Sequence, residues 1–250
     1  MSPQQQPKIN PQGSNGFAQS AVPSQRIIIK DSNAYPAPQC WVKKWVDYSS
    51  KYGLGYLLSN GSTGVFFNDS TKILLDQASQ STFYYYERKA ISATEKQDVM
   101  QVHDVASYPK ELHKKVTLMQ HFRSYLENHE DGADGSDGAA MQHLPSAYNP
   151  STAAQAEGKQ LQVNPHVYVK KWMRTKHAIM FRLSNKIVQV NFQDHTEILL
   201  NSESRLVTYV NKKGERQTLP LSHALESNNA EMTKRLKYTK DILTHMLNNN

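Results

Sequence analysis

The sequence predicts an α+β fold built from two similar units, and three observations carry that prediction. Segment 58–75 aligns without a gap on segment 183–200, with ten of eighteen positions identical at a constant offset of 125. The tetrapeptide Val-Lys-Lys-Trp precedes both copies, at 42–45 and 169–172. In each half, short β-branched and aromatic runs come before one long amphipathic pattern of helical period. The repeat indicates two copies of one structural unit, whose function is expected to reside in the pair or in the surface between them.

The size and charge of the chain restrict the classes of function. Its 250 residues suffice for two small domains, and such units gain stability by burying a face against each other. Lys and Arg number 29 against 22 Asp and Glu, and the resulting net charge of +7 favours an anionic partner. The sequence contains no zinc finger, RNA-recognition signature or Arg-rich stripe, so nucleic acid is not the predicted partner.

Cysteine content and apolar runs bear on where the protein works. Cys40 is the only cysteine, which excludes a disulfide within the chain and fits a reducing cytoplasmic or nuclear setting. No apolar run reaches the ~18 residues that a membrane-spanning helix needs, and the N-terminus lacks a signal-peptide core. We therefore expect no membrane partner.

Four segments divide the chain. Residues 1–39 are rich in Gln, Pro, Ser, Asn and Gly and are predicted to be a flexible linker, with the run 26–30 as a candidate edge strand. The first unit spans 40–129. A second linker at 130–164 contains Gly, Asp, Ser, Ala and Pro without periodicity, and the second unit spans 165–250.

The first unit is predicted to begin with an antiparallel meander and to end with a helix. Asn-Gly, Asn-Asp-Ser and Gln-Ser breaks divide its strands, and residues 88–106 are expected to add further short strands. Pro109 suits a first-turn position of the helix. The strand runs are Tyr52–Ser59, Gly64–Asn68, Lys72–Asp76 and Ser81–Glu87. The apolar positions at helical spacing are Leu112, Val116, Met119, Phe122 and Leu126.

The second unit repeats this plan. Asn229 or Ser227 is expected to cap its helix. The helical pattern matches that of the first unit position for position at an offset of 120, with Met232, Leu236, Thr239, Ile242 and Met246. The predicted strands are His177–Ser184, Ile187–Gln193, Glu197–Asn201, Arg205–Asn211 and Arg216–Leu221.

The sequence offers no catalytic, metal or cofactor site. It contains no Gly-rich phosphate loop, no protein-kinase motif, no Gly-x-Ser-x-Gly elbow and no His-Glu-x-x-His pair. Asp131, Asp134 and Asp137, with interleaved glycines, do not follow the alternation of a calcium loop. We therefore expect a non-catalytic chain that needs neither metal nor cofactor.

Two motifs resemble those of a known family. The run Cys-Trp-Val-Lys-Lys-Trp-Val-Asp-Tyr at 40–48, with Lys-Tyr-Gly-Leu-Gly-Tyr at 51–56, resembles the opening of the first polo box of polo-like kinases. Gln-Asp-His-Thr at 193–196 resembles the ligand-binding turn of the second polo box. The likeness covers about residues 40–129 and 165–249.

The resemblance implies a fold and a function. Each polo box is expected to be a six-stranded antiparallel sheet with a C-terminal helix, and the two boxes are expected to pack with pseudo-two-fold symmetry. The pair would form the regulatory half of a Ser/Thr protein kinase, whose kinase domain is not in this sequence. It would bind Ser-pSer or Ser-pThr motifs in the cleft between the boxes.

The same resemblance implies partners and locations. The expected partners are phosphorylated proteins and the kinase's own kinase domain. The polo boxes are expected to restrain that kinase domain until they bind a ligand. A homodimer is left open. The implied locations are the cytoplasm and nucleus, at the centrosome or spindle pole, the kinetochore and the midzone of dividing cells.

The ligand contacts of the family correspond to four positions here. Trp45 matches the tryptophan that shapes the cleft, and Asp47 continues the same segment. His195 matches the histidine that grips the phosphate, but the family's lysine two residues later is Glu197 here. Residues i and i+2 of a strand project from one face, so His195 and Glu197 are expected to face the ligand together. A carboxylate ~5 Å from a phosphate would repel it by several kcal/mol at an effective dielectric of ~20.

Two hypotheses follow from this departure. In the first, phosphopeptide binding persists and a nearby lysine replaces the missing one, with Lys170, Lys171 and Lys176 as candidates. Glu197 would then turn away or pair with a protonated His195. In the second, the chain is a phosphate-independent interaction or dimerisation module, whose acidic cleft favours a basic or neutral partner.

The repeat also predicts a second, symmetry-related cleft. Such a cleft either holds another partner or is filled by the linker 130–164, and we expect filling because an open apolar cleft favours aggregation. Its predicted lining residues are Trp172, Ser70 and Lys72, the twins of Trp45, His195 and Glu197.

Overall fold

A computed structural model describes residues 35–92, 96–128 and 166–248 of the chain. In the first half, six strands pair in sequential order, each antiparallel to the next. A 3-10 turn at Lys110–Leu112 and the helix α1, His113–Asn128, follow them. The strands are β1 (Val42–Tyr48), β2 (Gly53–Leu58), β3 (Thr63–Phe67), β4 (Lys72–Leu75), β5 (Thr82–Ala90) and β6 (Lys96–Asp104).

The second half repeats the arrangement. Its six strands also pair in sequential order, and the short helix α2, Leu221–Leu225, and the long helix α3, Ala230–Asn248, follow them. The strands are β7 (Val169–Arg174), β8 (Ala178–Leu183), β9 (Ile187–Phe192), β10 (Glu197–Asn201), β11 (Leu206–Val210) and β12 (Arg216–Pro220). The predicted fold, with two six-stranded antiparallel sheets each followed by a helix, is confirmed.

The differences from the predicted strands have local causes. β1 and β7 are missing from the predicted runs because a register shift inside each Val-Lys-Lys-Trp copy interrupts the alternation of apolar and polar positions. Residues 96–104 form the single strand β6, whereas several short strands were expected.

The start of α3 agrees with the prediction from the sequence, and the start of α1 differs from it. Asn229 caps α3, since its side-chain oxygen accepts a hydrogen bond from the Met232 N–H at 3.0 Å. Pro109 was expected in the first turn of α1. It lies instead immediately before the 3-10 turn. The five-residue helix α2 is too short to show a helical period and was not predicted.

Three predictions lie outside the described residues: most of the linker 1–39, its candidate strand 26–30 and the linker 130–164. The described residues all belong to one compact unit, Ser32–Asn250, which contains both sheets. Among these residues, no helix is both long enough and apolar enough to cross a bilayer.

The two sheets meet through their inner faces in a shared hydrophobic cluster. Leu54 and Tyr56 of β2 and Phe181 of β8 are inaccessible to solvent in that cluster. The outer face of the first sheet is covered by α1, whose Met119 and Phe122 are fully buried. Each such side chain contributes about 2 kcal/mol by leaving water, so the halves stabilise each other.

The edge strands β1 and β7 are held by side chains of the opposite sheet. The Gln189 side chain accepts from the Val42 N–H and donates to the Val42 carbonyl, both at 2.8 Å. At the twin position, the Tyr56 hydroxyl accepts from the Val169 N–H at 3.1 Å. Gly64, the twin of Gln189, leaves room for this ring, because a Cβ there would lie 2.1 Å from it. These bonds satisfy edge-strand backbone groups and fix the sheets relative to each other.

The second lysine of each tetrapeptide stabilises the end of a helix. Lys44 Nζ donates to the Leu126 carbonyl at 3.3 Å, and Lys171 Nζ donates to the Met246 carbonyl at 2.8 Å. A cation at a helix C-terminus typically contributes about 0.3–1 kcal/mol. The fold alone therefore explains one lysine of each Val-Lys-Lys-Trp copy.

Candidate functional site

His195 lies exposed at the tip of a rigid turn between β9 and β10. Its φ is 64°, a left-handed conformation. Asp194 Oδ1 accepts hydrogen bonds from the Thr196 hydroxyl at 2.7 Å and from the Thr196 N–H at 3.3 Å. Arg235 of α3 donates to Asp194 Oδ2, and Lys212 Nζ lies 3.5 Å from the same oxygen. The turn is therefore tied to the helix, and the position of His195 is set before any ligand arrives.

Electrostatics support this anchoring. Burial opposes ionisation of Asp194, but the hydrogen bonds from Thr196 and the charges of Arg235 and Lys212 outweigh it. They hold the pKa of that carboxyl below its ordinary value, so Asp194 stays charged at neutral pH.

The first half builds the same turn at residues 68–71. Ser70 has a φ of 68°, and Asp69 Oδ1 accepts from the Thr71 hydroxyl at 2.6 Å. Lys115 of α1 donates to Asp69 Oδ2 at 2.6 Å, as Arg235 does to Asp194. The recurring Asp-x-Thr pattern therefore fixes the turn, and the two halves differ in which side chain stands at its tip.

Glu197 projects from the inner face of the second sheet. It pairs with Asn191 on β9 and with Val210 on β11, and Val210 pairs in turn with Arg216 on β12. Leu199, two residues along β10, belongs to the cluster between the sheets, so Glu197 shares that face.

The Glu197 carboxyl is poorly satisfied. Its Oε2 atom is buried and has no hydrogen-bond partner among the described residues. Burial raises the pKa of this carboxyl, and the charge of Arg216 opposes that rise. Glu197 is thus a half-buried acid whose nearest compensating charge is Arg216, without a direct bond to it.

Arg216 and two tryptophans complete this region. The guanidinium of Arg216 lies 4.2 Å from the centre of the Trp41 ring, a cation–π contact between the two halves. Trp45 packs edge-on against Phe181, with ring centres 5.6 Å apart. Trp45 is half-buried at the cluster between the sheets. We give the name first groove to the region of Trp45, His195, Glu197 and Arg216, in which Glu197 and Arg216 share a cross-strand row and His195 lies on the turn before β10.

Asp47 ties the halves together. Its Oδ1 accepts from the Ser49 hydroxyl at 2.6 Å, and its Oδ2 lies 3.3 Å from Arg174 in the second half. Asp47 and Arg174 each follow the tryptophan of their tetrapeptide by two residues, so this ion pair joins twin positions. The geometry of Asp47 is explained by packing between the halves.

The surface around Trp172, Ser70 and Lys72, which we name the second groove, is filled. Lys72 is 1% exposed, and its Nζ lies 3.0 Å from Asp98 Oδ1. The Tyr168 hydroxyl donates to Asp98 Oδ2 at 3.2 Å, and its ring stacks on Tyr86 at 4.0 Å. The filling expected from linker 130–164 is thus performed, in part, by a residue just beyond it.

The two grooves differ in one decisive respect. In the second groove the charge of Lys72 is neutralised and covered, whereas Oε2 of its twin Glu197 has no hydrogen-bond partner in the part of the chain that the structure describes. Val210 stands in the first groove where Tyr86 stands in the second, so a smaller side chain lines the first groove at this row. At this row the first groove therefore has a smaller side chain than the second, and among the described residues its carboxyl oxygen is unpaired.

The predicted replacement lysines differ in their distance from the His195 turn: Lys176 lies in the neighbouring turn, where the His177 carbonyl accepts a hydrogen bond from the Gln193 N–H at 3.2 Å, and Lys171 lies elsewhere. Lys171 binds the carbonyl of Met246, which is eleven residues, or about 16 Å, along α3 from the Arg235 that anchors the His195 turn. The fold uses the Lys171 side chain at the helix end, and the expectation that it replaces the missing lysine stays a prediction.

Lys170 also belongs to the other groove. Burial lowers the pKa of Lys72 despite its ion pair with Asp98, and the positive charges of Arg88 and Lys170 lower it further. Lys170 is thus close enough to Lys72 to act on the second groove. Lys176 is exposed in the segment between β7 and β8.

Sequence reasoning missed Arg216 and Trp41. Arg216 enters the first groove only because β12 pairs with β11 in the register that aligns it with Glu197. Its twin in the first sheet is Met100, which pairs with Tyr86, so the repeat carries no signal for a cation there. Only the register of β10, β11 and β12, which the structure supplies, places Arg216 next to Glu197.

A family model described as the POLO box duplicated region matches residues 50–116 and 175–236, together more than half of the chain. A probable serine/threonine-protein kinase CCRP1 of Zea mays is 46% identical over 203 residues, which are 81% of this chain and 27% of that protein. The serine/threonine-protein kinase PLK1 of Xenopus laevis is 36% identical over 226 residues, 88% of this chain and 33% of that protein. The chain thus spans a third or less of the length of these relatives.

Solved structures share the fold. The budding yeast Cdc5 polo-box domain in complex with an Spc72 phosphopeptide matches with a TM-score of 0.62 at 24% identity, over 84% of this chain and 72% of that one. The same domain in complex with the Dbf4 polo-interacting region matches with a TM-score of 0.60 at 24% identity, over 86% and 76%. At this identity the likeness establishes the two-sheet architecture.

Proposed function

The chain belongs to the polo-box family, and from that premise we propose that it binds Ser-pSer or Ser-pThr peptides in the first groove. Polo-box domains of this fold have been solved with a phosphopeptide bound, in Cdc5 of budding yeast. In this chain His195 supplies a donor for the phosphate, and Trp45 supplies an apolar wall for the residue before it. The peptide then lies between the two halves and contacts both.

The contrast between the grooves carries this proposal. A buried polar group without a partner costs about 1–3 kcal/mol, so folded chains rarely keep one without a use. Glu197 in the first groove is such a group, whereas its twin Lys72 is paired at 3.0 Å and covered. The first groove therefore keeps an unused hydrogen-bond acceptor, which N–H groups of a peptide can satisfy, whereas the phosphate has to be held by donors such as His195.

The position of His195 fits a preorganised site. The turn is anchored to α3 through Asp194, so the imidazole needs little reorganisation to meet a ligand. Preorganisation lowers the entropy cost of binding and favours affinity. The net charge of +7 further attracts a phosphorylated segment at long range.

We base the proposed regulatory role on the relatives, which are protein kinases about three to four times longer than the matched region. We propose that the domain docks such a Ser/Thr kinase at phosphorylated partners during cell division and that docking relieves restraint of the kinase domain. The centrosome or spindle pole, the kinetochore and the midzone are the proposed locations. Catalysis is assigned to the kinase domain and not to the two boxes.

A matched pair of peptides tests binding. Fluorescence polarisation with a labelled Ser-pThr peptide and its unphosphorylated copy is expected to give at least about tenfold tighter binding of the phosphorylated form, or about 1.4 kcal/mol. The preference is expected to weaken as ionic strength rises, because charge attraction is screened. Equal affinities for the two peptides would contradict the proposal.

Twin variants locate the site. His195→Asn is expected to remove most of the phosphate preference, and Ser70→Asn at the twin turn is expected to leave it unchanged. Both positions have a positive φ, and Asn tolerates that conformation better than Ala, so neither variant strains its turn. Loss of binding in the Ser70 variant alone would assign the ligand to the second groove.

A second candidate function rests on the Glu197 carboxyl. A groove that holds a carboxylate where a cation is expected favours a neutral or basic segment, so a phosphate-independent interaction or dimerisation module is the alternative. The Cdc5 domain has also been solved with the Dbf4 polo-interacting region. Under this alternative, the plain peptide binds as well as the phosphorylated one and Glu197→Lys weakens a basic partner.

A further inference from the structure

The first groove contains two side chains of opposite charge that do not form a direct ion pair with each other. Glu197 and Arg216 lie in one cross-strand row of the second sheet, separated by Val210. Among the described residues, Glu197 Oε2 has no hydrogen-bond partner, and the exposed side chain of Arg216 makes a cation–π contact with Trp41 but no hydrogen bond or direct ion pair. Each group therefore keeps hydrogen-bonding capacity that the fold leaves unused.

The twin row in the first sheet has the opposite arrangement. There the position of Glu197 is held by Lys72, and the position of Arg216 is held by the neutral Met100. Lys72 finds its counter-charge in Asp98 of β6 at 3.0 Å. The cation of this row therefore lies on β4 in the first sheet, whereas in the second sheet it lies on β12, at the position equivalent to β6.

We propose that Arg216 is the second phosphate-binding cation of the first groove and takes the place of the lysine that Glu197 displaces. This assignment rests on the proposed phosphopeptide function. The phosphate is held between His195 on the β9–β10 turn and the guanidinium of Arg216 on β12.

The contact with Trp41 prepares Arg216 for this role. The ring holds the guanidinium by a face contact at 4.2 Å and leaves the N–H groups at its edge available. A guanidinium presents paired donors that match two phosphate oxygens, which an ammonium cannot do. Because Trp41 precedes β1 in the first half, bound phosphate would also link the two halves.

Two other cations near the turn are already engaged, whereas Lys176, in the turn whose His177 carbonyl accepts a hydrogen bond from Gln193, is exposed and is the alternative to Arg216. Lys212 lies 3.5 Å from Asp194 and 3.6 Å from Glu231, and Arg235 donates to Asp194. Arg216 is the nearby side chain whose charge acts on Glu197 itself. It therefore also offsets the repulsion between Glu197 and a phosphate.

A pair of variants in one hairpin tests the assignment. Arg216→Gln removes the charge but keeps an aliphatic stem, and Lys213→Gln removes one charge from the same exposed hairpin. The readout is the ratio of dissociation constants for the plain and phosphorylated Ser-pThr peptides. Arg216→Gln is expected to lower this ratio at least about tenfold relative to the unmodified chain, and Lys213→Gln less than about twofold. Melting temperatures of all variants verify that they are folded.

The outcomes separate this assignment from the proposed function. If the unmodified chain prefers the phosphorylated peptide and Arg216→Gln keeps that preference, the Arg216 assignment is overturned and the function stands. If the unmodified chain shows no preference, both fail. Arg216→Lys provides a graded check: an intermediate ratio supports paired donation by the guanidinium, and a ratio equal to that of Arg216→Gln would contradict a role for its charge.

A double-mutant cycle with Glu197→Gln measures whether the two side chains act together. Glu197→Gln is expected to raise phosphopeptide affinity severalfold when Arg216 is present, because Arg216 is then drawn by the phosphate alone. In the Arg216→Gln background the gain is expected to be smaller, since only the direct repulsion is removed. Equal gains in both backgrounds would show that Arg216 and Glu197 are independent and would count against the assignment.

Discussion

The surroundings of the Glu197 side chain oppose its ionisation. Its carboxyl is half-buried, has one oxygen without a partner, and has a pKa that burial raises above the ordinary value of 4.5. Between 4.5 and the raised value, the folded chain binds more protons than the unfolded chain. The free energy of unfolding therefore falls as pH rises across that window, and the loss is complete above the raised pKa.

The variant Glu197→Gln is expected to be more stable than the unmodified chain at pH 7, by roughly 1 kcal/mol, because the amide carries no charge to desolvate. The difference is expected to shrink toward zero as the pH is lowered below 4.5, where both states of the unmodified chain bind the proton. Denaturant unfolding at a series of pH values measures it. A difference that stays constant with pH would show that burial of the charge is not its cause.

Among the secondary-structure elements, the two Asp-x-Thr turns are the clearest products of the repeat. Each is anchored by a cation at the matching position of its own helix, Lys115 in α1 and Arg235 in α3. The two turns thus have the same local geometry but different side chains at the tip, Ser70 in one and His195 in the other.

This pair of anchors gives a matched test of preorganisation. Arg235→Met is expected to cost about 1 kcal/mol of stability and to weaken phosphopeptide binding severalfold, because the His195 turn loses its tie to α3. Lys115→Met is expected to have a similar cost in stability with no effect on binding. Unfolding and fluorescence polarisation measure the two quantities. Equal effects of both variants on binding would contradict a special role for the His195 turn.

The extent to which the sequence predicted the structure can be read from these elements. The apolar spacing of α1 and α3 and the Asn229 cap follow from local rules, and the structure agrees with them. The motif that predicted His195 also encodes its turn. Arg216 could not be found in this way, because its place in the groove depends on the pairing of β10, β11 and β12. The contact of Lys171 with the end of α3 could not be predicted either, because its partner carbonyl lies far along the chain.

The two halves together form one cooperative structure. Leu54, Tyr56 and Phe181 are buried in one cluster, and Gln189 reaches from the second sheet to both backbone groups of Val42. The groove exists only while these contacts hold the sheets together.

Gln189→Leu is expected to lower the free energy of unfolding by about 2 kcal/mol, because it leaves the buried N–H and carbonyl of Val42 without partners. Unfolding is expected to remain a single transition, followed by both fluorescence and circular dichroism. Two separate transitions, one for each half, would contradict the interdependence of the boxes.

The three tryptophans report on the two grooves independently, since Trp41 and Trp45 lie at the first groove and Trp172 at the second. The most direct measurement follows their indole N–H signals by ¹H–¹⁵N NMR during titration with the Ser-pThr peptide. We expect the Trp45 and Trp41 signals to shift in proportion to bound peptide while the Trp172 signal stays in place. A shift of Trp172 with Trp45 unchanged would contradict binding in the first groove.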